Sequence, residues 1–290
     1  PDPQGSILDG RADETAPNVD ATGNLALVTA SSASVGTQTN PLAIVVDGLV
    51  MFRDLDSNKL LVTDTYLKSV LGNLAFEPGT HVEGVTLEAE ALAGSILFAD
   101  FTVSDSSAGD AATVTLHAQE NISGSQRLDV VNSFVSLTAG SNITMPVLTG
   151  MEGADIVLIA DGDIRIVAAD GLSVDLNAST MAATAGGSIT LGNLRLGKTV
   201  EGAITHGSRL DLTANDFIHA GDGALDGSTL TAYTDDGGII FGNLTGTYGS
   251  EIRLKTHTYN VLGADIETGD VTLNGSRIIF EAFNDIVVGN

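Results

Sequence analysis

The sequence contains no cysteine and no tryptophan, and only 4 % of its 290 residues are aromatic. Without cysteine the chain forms neither disulfides nor thiolate metal sites. The scarcity of large rings argues against a thick globular core, because such cores commonly use aromatic side chains to fill their volume. Hydrophobic residues make up 43 % of the chain and are accompanied by 34 glycines. This composition predicts a thin, regular interior filled by aliphatic side chains.

Basic residues are also scarce, since 12 Lys and Arg stand against 37 Asp and Glu and give a net charge of −25. So negative a surface repels phosphate groups, which disfavours binding to nucleic acid or to anionic lipid. No apolar run reaches the length of about 18 residues that predicts a membrane span. The chain begins at Pro1 with neither Met nor a signal peptide, so we expect a processed protein or an excised segment.

What the sequence does contain is a repeated nine-residue phrase of the form aliphatic-x-Leu/Phe-x-Ala-x-x-x-Ile. The five full copies lie at 114–122, 135–143, 156–164, 210–218 and 278–286, and partial copies lie at 85–93 and 174–182. Shorter strand-like phrases lie between them at 189–191, 230–233, 252–256 and 271–273. Alternation in a strand places Val114, Leu116 and Ala118 on one side, and Thr115 and His117 on the other.

Alternating strands that recur about every 20 residues are typical of a solenoid. Each phrase then forms one rung, the apolar sides of successive rungs stack, and clusters of Gly, Asn and Asp form the turns. We therefore predict an all-β fold, a parallel β-helix (β-solenoid) with about 20 residues per coil. The alternative is an antiparallel β-sandwich array, because residues 236–249, "DGGIIFGNLTGTYG", would also suit a hairpin.

The composition divides the chain into a polar lead-in at 1–22 and a β-solenoid at 23–290. A non-repetitive excursion at 50–80 is an alternative within the solenoid, and a short helix would fit 64–74. The apolar ending, 278–290, has no polar cap. We expect either that the natural chain continues past Asn290 or that this coil end associates with another copy.

Four "GNL" tripeptides mark turns that enter strands, at 23–25, 72–74, 192–194 and 242–244. A more specific hypothesis is a stacked asparagine ladder inside the rod. This ladder requires Asn193 and Asn243 to lie at equivalent corners of different coils.

Candidate catalytic and metal-binding residues are few. The carboxylate pairs Asp161/Asp163, Asp211/Asp216 and Asp235/Asp236 could serve a glycosidase, although adjacent glycines favour turn roles. Arg165, Arg195, Arg209, Arg253 and Arg277 occur singly, whereas a polysaccharide lyase would need clustered cations.

A weak metal candidate is formed by Asp54, Asp56 and Asn58, which have the spacing that opens a calcium loop. Lys59 replaces the glycine of such a loop, and Thr65 replaces its final glutamate. Calcium is therefore weakly supported, and we expect no other cofactor. The five histidines lack zinc-ligand spacing, and Gly-x-Ser-x-Gly is absent from the sequence.

Several phrases resemble filamentous-haemagglutinin-type repeat proteins, the exoproteins and adhesins of Gram-negative bacteria. They are "VSLTAGSNI", "IVLIADGDI", "GGSITLGNL" and "VGTQTNPLAIVVDGL" (35–49), and the resemblance extends over most of 23–290. It implies a right-handed parallel β-helix that is exported to the cell surface or the extracellular space. The resemblance lies in the repeats and not in a catalytic signature, so it bears on architecture more than on activity. For the function we expect a non-enzymatic structural or adhesive role, with a glycan or protein of a host or neighbouring cell as partner and assembly into a fibre.

The alternative function is that of a carbohydrate-active β-helix enzyme, a polysaccharide lyase or a glycosidase. The low aromatic content leaves few side chains on which sugars could stack, and this favours the adhesive role.

Overall fold

The computed structural model describes residues 7, 16–28, 33–53, 60–61, 63–197, 199–200, 203–204, 207–257 and 265–289. These residues are all-β, and their contacts divide the chain into two units, Pro1–Ser141 (unit 1) and Asn142–Asn290 (unit 2). Parallel strands stack as a β-solenoid with roughly 25 residues per coil. The predicted fold class is therefore confirmed.

Unit 1 contains three parallel sheets, named A, B and C in the order in which a coil passes through them. Its described strands are β1 (Val19–Ala21), β2 (Leu25–Val28), β3 (Leu42–Val46), β4 (Leu49–Arg53), β5 (Leu60–Leu61), β6 (Thr65–Ser69), β7 (Leu74–Phe76), β8 (Thr80–Glu83), β9 (Thr86–Ala91), β10 (Ile96–Phe98), β11 (Phe101–Ser104), β12 (Thr113–Ala118), β13 (Ile122–Gly124), β14 (Arg127–Val131) and β15 (Phe134–Ala139). Sheet A has the order β1-β3-β6-β9-β12-β15, sheet B has β2-β4-β7-β10-β13, and sheet C has β5-β8-β11-β14.

Unit 2 repeats this arrangement. Its described strands are β16 (Ile143–Met145), β17 (Val147–Met151), β18 (Asp155–Ala160), β19 (Ile164–Ile166), β20 (Leu172–Asn177), β21 (Thr180–Ala185), β22 (Ile189–Leu191), β23 (Asn193–Leu196), β24 (Thr199–Val200), β25 (Ala203–Ile204), β26 (Arg209–Ala214), β27 (Ile218–Ala220), β28 (Gly223–Asp226), β29 (Thr229–Thr234), β30 (Ile239–Phe241), β31 (Leu244–Thr247), β32 (Glu251–Thr256), β33 (Ile266–Thr268), β34 (Val271–Asn274), β35 (Arg277–Glu281) and β36 (Ile286–Val288). Sheet A has the order β18-β21-β26-β29-β32-β35, sheet B has β16-β19-β22-β27-β30-β33-β36, and sheet C has β17-β20-β23-β28-β31-β34. A short antiparallel pair, β24 and β25, lies between β23 and β26.

The repeated phrase has a defined place in the coil. Val114, Leu116 and Ala118 face the core and are at most 1 % exposed, and β12 pairs in register with β15. The last residue of the phrase, Ile122, is the first buried residue of the next sheet B strand. Each buried aliphatic side chain of this size contributes about 1.5–3 kcal/mol. The phrase therefore spans a sheet A strand, the A–B corner and the start of sheet B.

The register predicted for the two partial copies is wrong. Val114 pairs with Leu87, two residues beyond the start of the copy at 85–93. The copy at 174–182 begins in β20 of sheet C, whereas the sheet A strand of that coil is β21, "TMAATA". Alanines occupy two of the inward positions of β21, so its sequence lacks the Leu or Phe by which the other copies of the phrase are recognised.

The coil length was also underestimated. Residues that hydrogen-bond across successive coils are separated by 20 positions for Ser208 and Ser228 and by 29 for Asn193 and Asp222. The pairing register keeps the strands of neighbouring coils similar in length. The variation in the number of residues per coil therefore lies in the corners between strands. The roughly 25 residues per coil therefore exceed the predicted 20.

The antiparallel alternative is wrong, because strands within sheets A, B and C pair in parallel throughout the described residues. Residues 236–249 form no hairpin, since β30 lies in sheet B and β31 in sheet C. The helix considered at 64–74 is also wrong: Thr65–Ser69 is strand β6, which pairs with strands on both sides. Residues 19–21 of the expected lead-in form β1, which pairs with β3.

A column of serines lies at the corner between sheets C and A in unit 2. In each pair the backbone N–H of one serine donates to the hydroxyl of the serine one coil later, and the column contains Ser179, Ser208, Ser228, Ser250 and Ser276. The Ser228 hydroxyl also donates to the Asp226 carbonyl at 2.8 Å. The first four serines are at most 4 % exposed. These hydroxyls satisfy buried backbone groups, so the column joins the coils.

A second column, of Asn and Asp, lies at the exposed corner between sheets B and C. The Oδ1 atom of Asn193 accepts the backbone N–H of Asp222, Oδ1 of Asp222 accepts that of Asn243, and Oδ1 of Asn243 accepts that of Asp270, at 2.7–3.0 Å. Asn193 and Asn243 thus occupy equivalent corners, as the ladder hypothesis requires. Both side chains are exposed, so the ladder lies on the outside of the coil and not in its interior.

At the A–B corners a glycine allows successive coils to approach closely. A Cβ atom built on Gly186 would lie 2.2 Å from the Asp161 carbonyl oxygen, and one built on Gly237 would lie 1.9 Å from that of Asp216. Both distances are far shorter than a van der Waals contact, so a side chain at either position would force the coils apart.

Candidate binding face

The outward side chains of β29, β32 and β35 form a regular grid on sheet A of unit 2, which we call the β29–β35 face. Its three rows across the strands follow the pairing register and are Thr229–Glu251–Arg277, Thr231–Arg253–Ile279 and Tyr233–Lys255–Glu281. The intervening residues of β29 and β32, such as Leu230 and Leu254, point inward and are buried. A rigid parallel sheet therefore fixes the spacing of the outward groups.

This face carries three cations and two carboxylates, although the chain as a whole has a net charge of −25. Both Arg277 and Arg253 form ion pairs with Glu251. The Lys255 ammonium lies 2.8 Å from a carboxylate oxygen of Glu281. The hydrogen bonds from Arg277 and Arg253 lower the pKa of Glu251, and the one from Lys255 lowers the pKa of Glu281. Both glutamates therefore stay ionised into acidic solution and remain paired with these cations.

A groove of about 260 Å³ lies across the face and is lined by side chains from all three strands. Tyr233, Arg253, Lys255 and Glu281 supply its polar groups, and Ile279 supplies apolar surface. The Tyr233 hydroxyl donates to a carboxylate oxygen of Asp235 at 2.6 Å, which holds the half-buried ring along its strand. The groove thus combines a fixed aromatic ring with two cations and a carboxylate.

The arginines of this face were predicted to be isolated, and the structure brings two of them together. Arg253 and Arg277 are neither adjacent in sequence nor part of a basic run. One coil separates them, so they meet at the shared carboxylate of Glu251. The signal is present in the spacing, since the residues after "GS" at 207–208, 227–228, 249–250 and 275–276 begin successive sheet A strands. Recognising this spacing requires the true coil length of roughly 25 residues, whereas the sequence predicts about 20.

Three of the six carboxylates considered for catalysis, Asp163, Asp211 and Asp235, make contacts within the protein. Oδ1 of Asp163 accepts the backbone N–H of Ser188 at 2.7 Å, and Asp211 forms an ion pair with Arg209 on its own strand. Asp235 binds the Tyr233 hydroxyl. Within the described residues no group of three or more His, Asp or Glu side chains could hold a metal ion. Asp54, Asp56 and Asn58 lie outside the described residues.

A serine–histidine hydrogen bond occurs on sheet C of unit 1, where His81 Nε2 lies 2.8 Å from Ser104 Oγ. Burial lowers the pKa of His81, and the negative charge of Glu83 acts in the opposite direction. In the part of the chain that the structure describes, no carboxylate hydrogen-bonds to His81. The pair therefore lacks the third group that orients the histidine of a catalytic triad.

Among the described residues no helix is long and apolar enough to span a membrane. Comparison of the chain with family models, with curated proteins and with solved structures finds no match.

Proposed function

We propose that the chain is a non-enzymatic structural and adhesive segment of a secreted or cell-surface repeat protein, of the kind represented by filamentous-haemagglutinin-type adhesins. The observation that carries the proposal is the β29–β35 face, where a rigid sheet displays an aromatic ring and paired charges at fixed spacing. Groups presented on regular strands bind an extended partner without folding around it. The partner class is a glycan or a protein on another cell, and the location is extracellular.

The polar columns support a structural role. Serine hydroxyls and Asn or Asp oxygens at the corners accept backbone N–H groups of neighbouring coils. A carboxylate that accepts a backbone N–H group of a neighbouring coil serves the fold, whereas the two carboxyl groups of a glycosidase must flank the scissile bond of a bound sugar. This use of Asp163 and Asp222 favours the scaffold over the polysaccharide lyase or glycosidase.

The test combines adhesion with catalysis on the same purified chain. Beads coated with the chain should bind to glycan- or cell-coated surfaces above the level of albumin-coated beads. Incubation with a panel of polysaccharides should leave their chain length unchanged in size-exclusion chromatography. Shortening of any polysaccharide by catalytic amounts of the chain, abolished by Asp163→Asn or Asp211→Asn, would instead establish the enzyme.

A further inference from the structure

The guanidinium group of Arg253 is only partly used by the protein. Its Nε atom donates to Glu251, and in the described residues its two Nη groups make no hydrogen bond to the protein. The side chain is 54 % exposed and lines the groove. Two free Nη groups in one plane form the fork that binds a carboxylate through two parallel hydrogen bonds.

Lys255 provides a second donor beside this fork. Its ammonium group has three N–H donors, of which the ion pair with Glu281 takes one. Arg253 and Lys255 lie two residues apart on β32, so both side chains project from the same face of the strand. An incoming carboxylate would therefore meet two cations at once.

Tyr233 pairs with Lys255 across the sheet, which places its ring next to this pair of cations. Since its hydroxyl is fixed by Asp235, the ring is held in position as an apolar platform. The carbon-bound hydrogens on one side of a pyranose can pack on such a ring while the sugar hydroxyls reach Thr231 and Glu281. A peptide carboxylate would use the cations but would gain less from the flat ring.

We propose that this groove binds a carboxylated sugar unit, of the uronic acid type, within an acidic polysaccharide. The carboxylate lies between the Nη groups of Arg253 and the ammonium of Lys255, and the pyranose ring packs on Tyr233. The groove, at about 260 Å³, is slightly smaller than drug-sized ligand sites of about 300–1,000 Å³, so it suits one sugar unit of a longer chain. The proposal deepens the adhesive function and rests on it.

The charge distribution of the chain confines this occupant to the groove. A net charge of −25 repels an acidic polymer from the surface as a whole, so its binding depends on the local attraction of Arg253 and Lys255. The binding should therefore weaken as salt is raised.

The experiment measures binding of hyaluronan oligosaccharides, which contain glucuronate, to the purified chain by titration calorimetry. The same oligosaccharides with methyl-esterified carboxyl groups test the carboxylate, and poly-glutamate tests whether charge alone suffices. Arg253→Gln should weaken hyaluronan binding about tenfold to hundredfold. Glu251 stays paired with Arg277 in this variant, so the fold should be retained, and circular dichroism checks this.

Arg165→Gln is the matched control, because it removes the same charge from an exposed position on sheet B. Tyr233→Phe keeps the ring but loses the bond to Asp235 that holds it, so it should bind more weakly than the parent chain and better than Tyr233→Ala, which should bind several-fold more weakly. Absence of hyaluronan binding overturns the proposal. So does equal binding of poly-glutamate or of the methyl ester, or an equal effect of Arg165→Gln and Arg253→Gln.

The outcome also separates this proposal from the adhesive function. If coated beads adhere to cells but hyaluronan does not bind, the ligand assignment fails and the adhesive role stands. If the beads do not adhere and polysaccharides are shortened, the adhesive role itself fails.

Discussion

Replacing Ser228 by alanine tests whether the serine column holds the coils of unit 2 together. The Ser228 hydroxyl accepts the backbone N–H of Ser208 at 2.9 Å and donates to the Asp226 carbonyl at 2.8 Å. Ser228 is 2 % exposed and Ser208 is 4 % exposed, so water cannot readily replace either bond. The substitution therefore leaves the N–H of Ser208 buried without its acceptor.

The expected cost follows from these two bonds. A buried donor left unpaired costs about 1–3 kcal/mol, and the lost hydroxyl donation adds about 1 kcal/mol. Ser228→Ala should therefore destabilise unit 2 by about 2–4 kcal/mol. Ser276→Ala likewise leaves the N–H of Ser250, which is 1 % exposed, without its acceptor, but the hydroxyl donation that it loses is exposed, so it should cost about 1–3 kcal/mol.

The assay is urea unfolding of the full chain followed by circular dichroism, with amide hydrogen exchange as the local measurement. The unfolding midpoint of Ser228→Ala should fall clearly, and the Ser208 amide should exchange at least about tenfold faster, since 1.4 kcal/mol corresponds to a factor of ten. Thr213→Ala, at an exposed outward position of β26, should change stability by no more than about 0.5 kcal/mol. The reasoning is refuted if Ser228→Ala and Thr213→Ala unfold alike and protection of the Ser208 amide is unchanged.

Three further predictions concern other features of the coil. Gly237→Ala should lower the free energy of unfolding by about 1–3 kcal/mol, because the new Cβ would meet a backbone carbonyl at 1.9 Å, whereas Gly23→Ala, with no atom within 4 Å, should have little effect. Asn243→Ala should cost about 1 kcal/mol by removing the acceptor of the Asp270 N–H, and Asn243→Asp, which keeps that oxygen, should restore the midpoint. Burial holds the pKa of His81 below 6.5, so the unfolded chain takes up the proton first and stability should fall as the pH drops below 6.5; a pH series of urea midpoints should be flatter for His81→Gln, and an unchanged slope contradicts the assignment.

The fold could be predicted from the sequence because its strongest signal is local. The alternation at 114–122 fixes which side chains face the core, and the same register recurs in the next copy. The Ala of the phrase and the glycine-rich corner after it correspond to the close approach of coils seen at Gly186. The exact step between coils could not be predicted, since β21 fills its inward positions with Met181 and Ala183 and escapes the pattern.

The columns and the face could be predicted only in part. Asn193 and Asn243 share a tripeptide and were matched, but Asp222, which lies between them in the ladder, follows a different sequence, "AGDG". The side-chain oxygen of an aspartate accepts a backbone N–H in the same way as that of an asparagine. The hydrogen bond is therefore kept although the residue type differs. The dipeptide "GS" before several sheet A strands is visible in the sequence. It could not be assigned to a buried serine column, because an exposed turn commonly has the same two residues.

Outward side chains are not constrained by packing of the core, and this explains why each copy of the phrase can have different polar residues. Thr115 pairs with Ser136, whereas Thr231 pairs with Arg253 and Tyr233 pairs with Lys255. Nothing in the stacking of the core distinguishes these choices, since all of them project away from it. A binding site on a solenoid is therefore formed by neighbouring rows of unrelated coils, and it need not repeat with them. This explains why the groove at Tyr233 does not recur in other described coils. Among the described residues, only there do an aromatic ring and two cations lie on adjacent strands in register.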